Sequence, residues 1–290
     1  MIIAAPLDTP EAPVSLPDGS WYCVEMGAQR GCVTHISADG KVIRLLRRTG
    51  RPNGLAVDHR GTLWVAESST PALLRMQFDG SYETWLTTCD GEPFIFPNDL
   101  AFGPDGFLYM TDSGINTYEL APHGTIRGDY LDLQYDGRVY QIDILSRTIR
   151  KLDSGLLFTN GIAFGSGGDL FVNETVTGKV YRYPNTSSGP GMRTYFGNVN
   201  DPAGTPGWRG PDGMKFGLDG CLYCTVYGQG DVTVLDPEGR VRQRIPTLGR
   251  FPTNLAFGPD GEEFIYVTEV DHGHLEKHPV STGGLPLHHG

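Results

Sequence analysis

Six residues carrying side-chain oxygen occupy one position of a repeated pattern. They are Glu11, Asn53, Asn98, Asn160, Asp212 and Thr253, each eight positions before a glycine, at 19, 61, 106, 168, 220 and 261. Carboxylate and amide oxygens are the donors that hard divalent cations prefer. If the six converge, the chemistry they offer is a cation site. If each merely opens a strand, they are the turn-favouring residues that bond their own backbone. The elements that carry them decide between the two.

The copies read EAPVSLPDGSWYCVE from Glu11, NGLAVDHRGTLWVAE from Asn53, NDLAFGPDGFLYMTD from Asn98, NGIAFGSGGDLFVNE from Asn160, DGMKFGLDGCLYCTV from Asp212 and TNLAFGPDGEEFIYVTE from Thr253. Each predicts a short strand, a tight turn and a second strand rich in aromatic and β-branched residues. Two more strands follow, as in GRVYQIDI and TIRKLDSG after the third copy. Four antiparallel strands recurring roughly every 40–60 residues predict an all-β fold, a six-bladed β-propeller of four-stranded blades. The chain is expected to form one such domain over residues 1–290. Helical heptads and βαβ alternation are absent, which excludes an α/β barrel and a dinucleotide-binding fold. The sixth unit is a strand short, and IIAAPLD at the N-terminus is expected to supply it and remove the open edge.

In such a blade the first strand lies nearest the axis, so the six oxygen-bearing residues should ring the mouth of the central channel as a metal site. Two long connections, 113–137 and 197–210, return to the same face and are expected to overhang it as a lid. Asp99 is expected to face the protein and orient Asn98. Glu25, Glu67, Asp112, Glu174 and Glu269 end the second strands in near-matching register. They are expected to bond backbone amides and support the rim, with pocket roles open for Asp112 and Glu174. His272, His274 and His278 in DHGHLEKH are expected at the surface or rim, because no carboxylate–histidine metal spacing accompanies them. Cys221 and Cys224 lie three apart in the strand GCLYCTVY, where they point to opposite faces and are expected as buried thiols.

The chain has 290 residues, 39% of them hydrophobic, and a net charge of -11. This composition suits a folded core and repels nucleic-acid phosphates and anionic membranes, so neither is an expected partner. MIIAAPLDTPEAPVS lacks the basic n-region and apolar stretch of a signal peptide, and a cytoplasmic protein, monomeric or weakly self-associating, is expected.

EAPV at Glu11, PND at Pro97, TNG at Thr159 and GPDGMKFGLDGCLY at Gly210, in this order and spacing, resemble the senescence marker protein, gluconolactonase and regucalcin family of six-bladed propellers, which has diisopropylfluorophosphatase as a relative. The resemblance covers nearly the whole chain. It implies a divalent cation, calcium first, with zinc, magnesium or manganese as alternatives, held by Glu11, Asn160 and Asp212. It also implies a role for Asn98 in binding metal or substrate, with Asn53 as an extra amide on the rim. The implied activity is metal-dependent lactone hydrolysis with Asp212 positioning or activating water. Phosphotriester hydrolysis and a non-catalytic propeller with a structural ion are the rivals. Glu-Ala-Pro replaces the family's Glu-Gly-Pro, and Phe96 stands where sugar-lactone members often carry arginine. Phe96 and Asp112, with Asn98 and Asn53, are therefore the expected substrate contacts, in a less polar or smaller pocket.

Overall fold

The computed structural model describes every residue except Asp260, so the Asp-Gly turn of the sixth copy lies outside the described residues. Six four-stranded antiparallel sheets form a β-propeller. Blade one contains Pro10–Ser15, Trp21–Glu25, Cys32–Ile36 and Ile43–Arg48, paired in that order. Blade two contains Pro52–Val57, Leu63–Glu67, Ala72–Met76 and Tyr82–Leu86, and blade three Pro97–Phe102, Leu108–Asp112, Gly137–Asp143 and Thr148–Leu156. Blade four contains Thr159–Phe164, Leu170–Glu174, Lys179–Tyr183 and Thr194–Asn198, and blade five Gly210–Phe216, Leu222–Tyr227, Asp231–Leu235 and Val241–Pro246. Blade six has only Pro252–Phe257, Phe264–Glu269 and His274–Pro279 from its own stretch of chain.

Its fourth strand is Ile2–Ala4, with Ile2 opposite Glu276 and Ala4 opposite Leu275. The chain thus closes on itself through its N-terminus, as the missing strand required. Ala4 and Leu7 join Trp21 and Ile36 of blade one and Ala256, Tyr266 and Leu275 of blade six in one buried cluster. Leu7 also donates its backbone N–H to Gly273 O at 2.8 Å.

Blades pack face against face, so a second strand is covered on both sides. All five residues of Leu63–Glu67, Leu108–Asp112 and Leu170–Glu174 are buried, whereas the outer Tyr82–Leu86 is exposed or half-buried. This explains why the second strands carry near-continuous apolar runs rather than strict alternation. All five cysteines are buried and free, Cys221 and Cys224 among them. No helix among the described residues is long and apolar enough to cross a membrane.

One feature had no counterpart in the repeat. The C-terminal tail crosses the face opposite the ring, bridging Gly217 to Gly284 and Phe102 to His288. Leu285 donates to Phe216 O at 2.9 Å, and His59 donates to His289 O at 2.8 Å. The tail therefore spans from blade five to blades two and three. Beneath the ring it encloses a cavity of about 70 Å³ lined by Asp99, Lys215, Asn254, Leu285 and His288.

Closure through the N-terminus predicts that Leu7→Ala, which empties a site only 5% exposed, costs about 2–4 kcal/mol of stability. Chemical denaturation checks this. A loss below about 0.5 kcal/mol, the level of a surface substitution, would show that the N-terminal segment does not hold the ring shut.

Candidate metal centre

The first strands begin in β-bulges. Register slips between Glu11 and Val14, Pro52 and Leu55, Pro97 and Leu100, Thr159 and Ile162, Pro211 and Met214, and Pro252 and Asn254. A bulge breaks the two-residue alternation, so neighbouring residues lean to the same side. The glycine after a ring residue belongs to this geometry. A Cβ on Gly161 would stand 2.2 Å from Asp212 O, and one on Gly213 would stand 1.9 Å from the Asn254 amide carbon. The NG and DG pairs here mark close approach of a neighbouring blade, not hairpin turns.

Neighbouring blades hold the ring by its backbone. Thr111 Oγ1 donates to Asn160 O at 2.6 Å, Asn173 Nδ2 to Asp212 O at 2.6 Å, and Thr225 Oγ1 to Thr253 O at 2.7 Å. Side-chain amides are held by their nitrogens: Asn98 Nδ2 donates to Ser113 Oγ at 2.9 Å, and Asn160 Nδ2 to Thr175 Oγ1 at 3.2 Å. That orientation leaves the oxygens for the channel. Asn160 Oδ1 is buried and has no hydrogen-bond partner among the described residues. Asn53, 5% exposed, makes no side-chain hydrogen bond among the described residues. Glu11, 2% exposed, accepts from Asn254 Nδ2 at 3.3 Å.

Two expectations change. Asp99 does not turn to the protein side. Desolvation raises its pKa, and its charge raises that of both Glu11 and Asp212, which puts a third carboxylate at the channel. It accepts from Leu100 N at 2.8 Å and Ile162 N at 3.3 Å, and Lys215 offsets its charge. Thr253 turns its hydroxyl to Pro10 O at 2.7 Å and so ties blade six to blade one. Asn254 takes its place beside Glu11.

The electrostatics are those of a site short of positive charge. Burial holds the Glu11 carboxyl well above its ordinary range, with repulsion from Asp212 and Asp99 adding to it. Asp212 is likewise held well above by burial and then by Asp99, with the Asn160 amide and Arg51 opposing. Arg51 is itself lowered by desolvation and drawn back by Glu67, Asp212 and Glu11. Its guanidinium lies over the Phe96 ring, 5.1 Å from the centroid, and donates to Ser68 Oγ at 3.0 Å. An orphaned amide oxygen, two carboxylates penalised for being charged, and an oxygen-only donor set fit a hard divalent cation. Arg51 was missed in the sequence, yet it stands two residues before Asn53, as Phe96 stands two before Asn98.

Above the ring, the two long connections meet. The lid carries a helical turn, Thr117–Leu120, and a 3₁₀ turn, Tyr130–Asp132. Tyr130 OH donates to Gly207 O at 3.0 Å, and the Tyr130 and Trp208 rings meet edge-on at 5.2 Å. Trp208 also packs on Phe158 at 5.2 Å, and Phe96, Ile115, Leu120 and Phe158 form the buried heart of this aromatic wall. Asp112 lies beneath it, fully buried, accepting from Ile95 N, Phe96 N and Gly114 N at 2.8, 2.9 and 3.0 Å. Its carboxylate thus fixes the backbone of Phe96 and the start of the lid. Glu67, Glu174 and Glu269 do the same in their blades, accepting from Arg51 N, Leu157 N and Phe251 N at 2.7, 2.7 and 3.1 Å.

Comparison with known proteins bears on this arrangement. The gluconolactonase of Zymomonas mobilis is 27% identical over 220 residues, covering 72% of this chain and 58% of that protein. The 6-deoxy-6-sulfogluconolactonase of Pseudomonas putida is 30% identical over 134 residues, 46% of this chain and 44% of that protein. The chain thus spans about half the length of these relatives. Among solved structures, regucalcin of Agrobacterium tumefaciens, a calcium-binding protein, superposes with a TM-score of 0.80 at 18% identity, covering 99% of this chain and 95% of that one. That likeness establishes the shared fold. Residues 9–271 match the family described as SMP-30/Gluconolactonase/LRE-like region, and the chain belongs to that family.

Proposed function

We propose that the protein is a metal-dependent hydrolase that opens the cyclic ester of a small lactone, with Glu11, Asn160 and Asp212 holding a divalent cation, calcium first, and Asn98 contributing to the same centre. The observation that carries this reading is Asn160 Oδ1, buried without a hydrogen-bond partner among the described residues, in a ring whose Glu11 and Asp212 carboxylates are buried and mutually repelling. The lactonase names of the relatives support the substrate class. When bound, the cation supplies Lewis-acid polarisation of the ester carbonyl, an effect worth several kcal/mol.

The chain's own residues do the rest. Asp212 accepts a hydrogen bond from the attacking water, orients its oxygen toward the carbonyl carbon and takes its proton. The acyl–oxygen bond then breaks, the ring oxygen receives the proton, and a hydroxy acid leaves. Asn98 and Asn53 offer amide groups to the substrate's oxygens. Phe96, Phe158 and Trp208 give an apolar wall that excludes water. Arg51, with a single side-chain hydrogen bond among the described residues, presents further N–H donors to an anionic or carbonyl substituent. The pocket therefore suits a lactone with an apolar body and one acceptor group better than a polyhydroxylated sugar ring.

Asp212→Asn should lower lactone turnover about 100-fold or more while circular dichroism and melting temperature stay near those of the parent. Full activity would remove Asp212 from the mechanism. Chelation should abolish hydrolysis, and calcium or zinc should restore it. Activity that survives exhaustive chelation would contradict a metal-dependent route. Arg51→Gln should raise KM about tenfold for lactones bearing a carboxylate, the loss expected for one charge-assisted hydrogen bond. Neutral lactones of the same size should change little. Equal losses on both would deny Arg51 a part in substrate choice.

A further inference from the structure

A second set of metal-type donors lies on blade six, one and two strands outward from the axis. Glu269 ends the strand Phe264–Glu269, His274 opens His274–Pro279, and the two residues are directly paired in register. His272 sits in the connecting turn, which Gly273 tightens with a φ of 63°. The His272 and His274 rings stack with centroids 5.6 Å apart and planes 24° from parallel. Glu269, His272 and His274 each offer a ligand atom, and these atoms all lie within 4.8 Å of one another. Expected at the surface or rim without a carboxylate, these histidines instead share one, and His274 is only 1% exposed.

The missed signal was E-x-x-H-x-H read along a hairpin. Across two paired strands the register, not the linear spacing, brings Glu269 to His274.

We propose that Glu269, His272 and His274 form a second divalent-metal site, selective for zinc-type ions, that staples the closure of the propeller. Four considerations support it. First, tetrahedral zinc with ligands at about 2.0–2.1 Å places them about 3.3–3.5 Å apart. His272 Nδ1 and His274 Nε2 stand 3.2 and 3.9 Å from Glu269 Oε2, so sub-ångström shifts suffice. Second, the anchor is rigid: Glu269 is fully buried and fixed by the N–H groups of Phe251, Asp271 and His272 at 3.1, 2.9 and 2.9 Å. Third, a further buried carboxylate stands behind the set. Glu276 Oε2 lies 2.9 Å from His274 Nε2, and its other oxygen lies 2.9 Å from His278 Nε2. When a metal takes the His274 nitrogen, Glu276 Oε2 is released toward the same centre as a further oxygen donor. Fourth, His272 is exposed, which gives an ion a path from solvent.

Two imidazoles with carboxylate select a borderline transition metal, whereas the oxygen-only channel ring selects a hard cation. The two centres thereby differ in ion preference, and variants of either one tell them apart. Their consequences differ too. Gly273, between the two histidines, accepts the Leu7 N–H at 2.8 Å, and the strand opened by His274 pairs with Ile2–Ala4. A metal here fixes both contacts of the N-terminal strand.

The test compares the chelator-treated parent, His272→Ala and Asp212→Asn, each titrated with zinc and with calcium by calorimetry and by melting temperature. His272 is exposed, so its removal leaves the core intact; His274→Gln serves as a second variant. The parent and Asp212→Asn should bind zinc at this site and gain melting temperature from it. His272→Ala and His274→Gln should bind zinc at least tenfold more weakly and lose that gain, with lactone hydrolysis in calcium unchanged. Cobalt(II) should give the parent an intense visible absorption that His272→Ala lacks. Zinc affinity and thermal gain identical in parent and His272→Ala would overturn the site, whatever the outcome for the channel ring. In Asp212→Asn, whose channel ring has lost a ligand, a calcium gain equal to the zinc gain would also overturn it.

Discussion

Several carboxylates buried around one axis are the constraint to which the rest of the structure answers. Two like charges 4 Å apart repel by roughly 4 kcal/mol at an effective dielectric near 20, and Glu11, Asp99 and Asp212 all raise one another or are raised in turn. Such groups sit together only with a proton or another positive charge among them. Lys215 opposes Asp99 and Glu11, and Arg51 opposes Asp212, but both lysine and arginine bring one charge each on a flexible stem. Asn160 Oδ1, buried with no donor among the described residues, adds an acceptor that a cation or an incoming N–H or O–H can satisfy. The bulged first strands, the glycines at 161 and 213, and the hydroxyl tethers of Thr111 and Thr225 keep this crowded arrangement from relaxing outward.

The same constraint gives the channel two unlike ends. On the ring side, two long connections meet through Tyr130 and Trp208 and build an aromatic wall over polar oxygens. Asp112 spends its carboxylate on backbone amides to hold Phe96 in that wall, which converts a rim acid into a support for an apolar surface. At the other end, the C-terminal tail lies across the bore, with a small cavity between it and the ring and a larger one of about 670 Å³ beside Leu285, Leu287 and His289.

Much of this was legible in the chain because a propeller repeats. Six copies with the polar residue in one register gave the blade count, the ring and its axis, and a sixth unit one strand short pointed to the N-terminal strand Ile2–Ala4. What escaped was whatever the repeat does not govern. Asp99 was expected to face the protein and lines the channel instead, because a β-bulge is a local event that no period reveals. Thr253 looked like a ring member by register, yet its hydroxyl is used on Pro10 O, and Asn254 stands beside Glu11 instead. Arg51 and Phe96 occupy matching places two residues before Asn53 and Asn98, so symmetry between blades was the signal that could have found the arginine. The tail and the Glu269–His272–His274 cluster depend on tertiary register, which linear spacing does not carry.

Occupancy of the ring is tested most directly by a crystal structure of the chelator-treated protein soaked with calcium. The account predicts one cation bound through oxygens of Glu11, Asn160 and Asp212 at about 2.3–2.6 Å, with at least one coordination position left open beneath the lid. A ring that stays free of cation at saturating calcium, or a cation seated without Asn160 and Asp212, would contradict it.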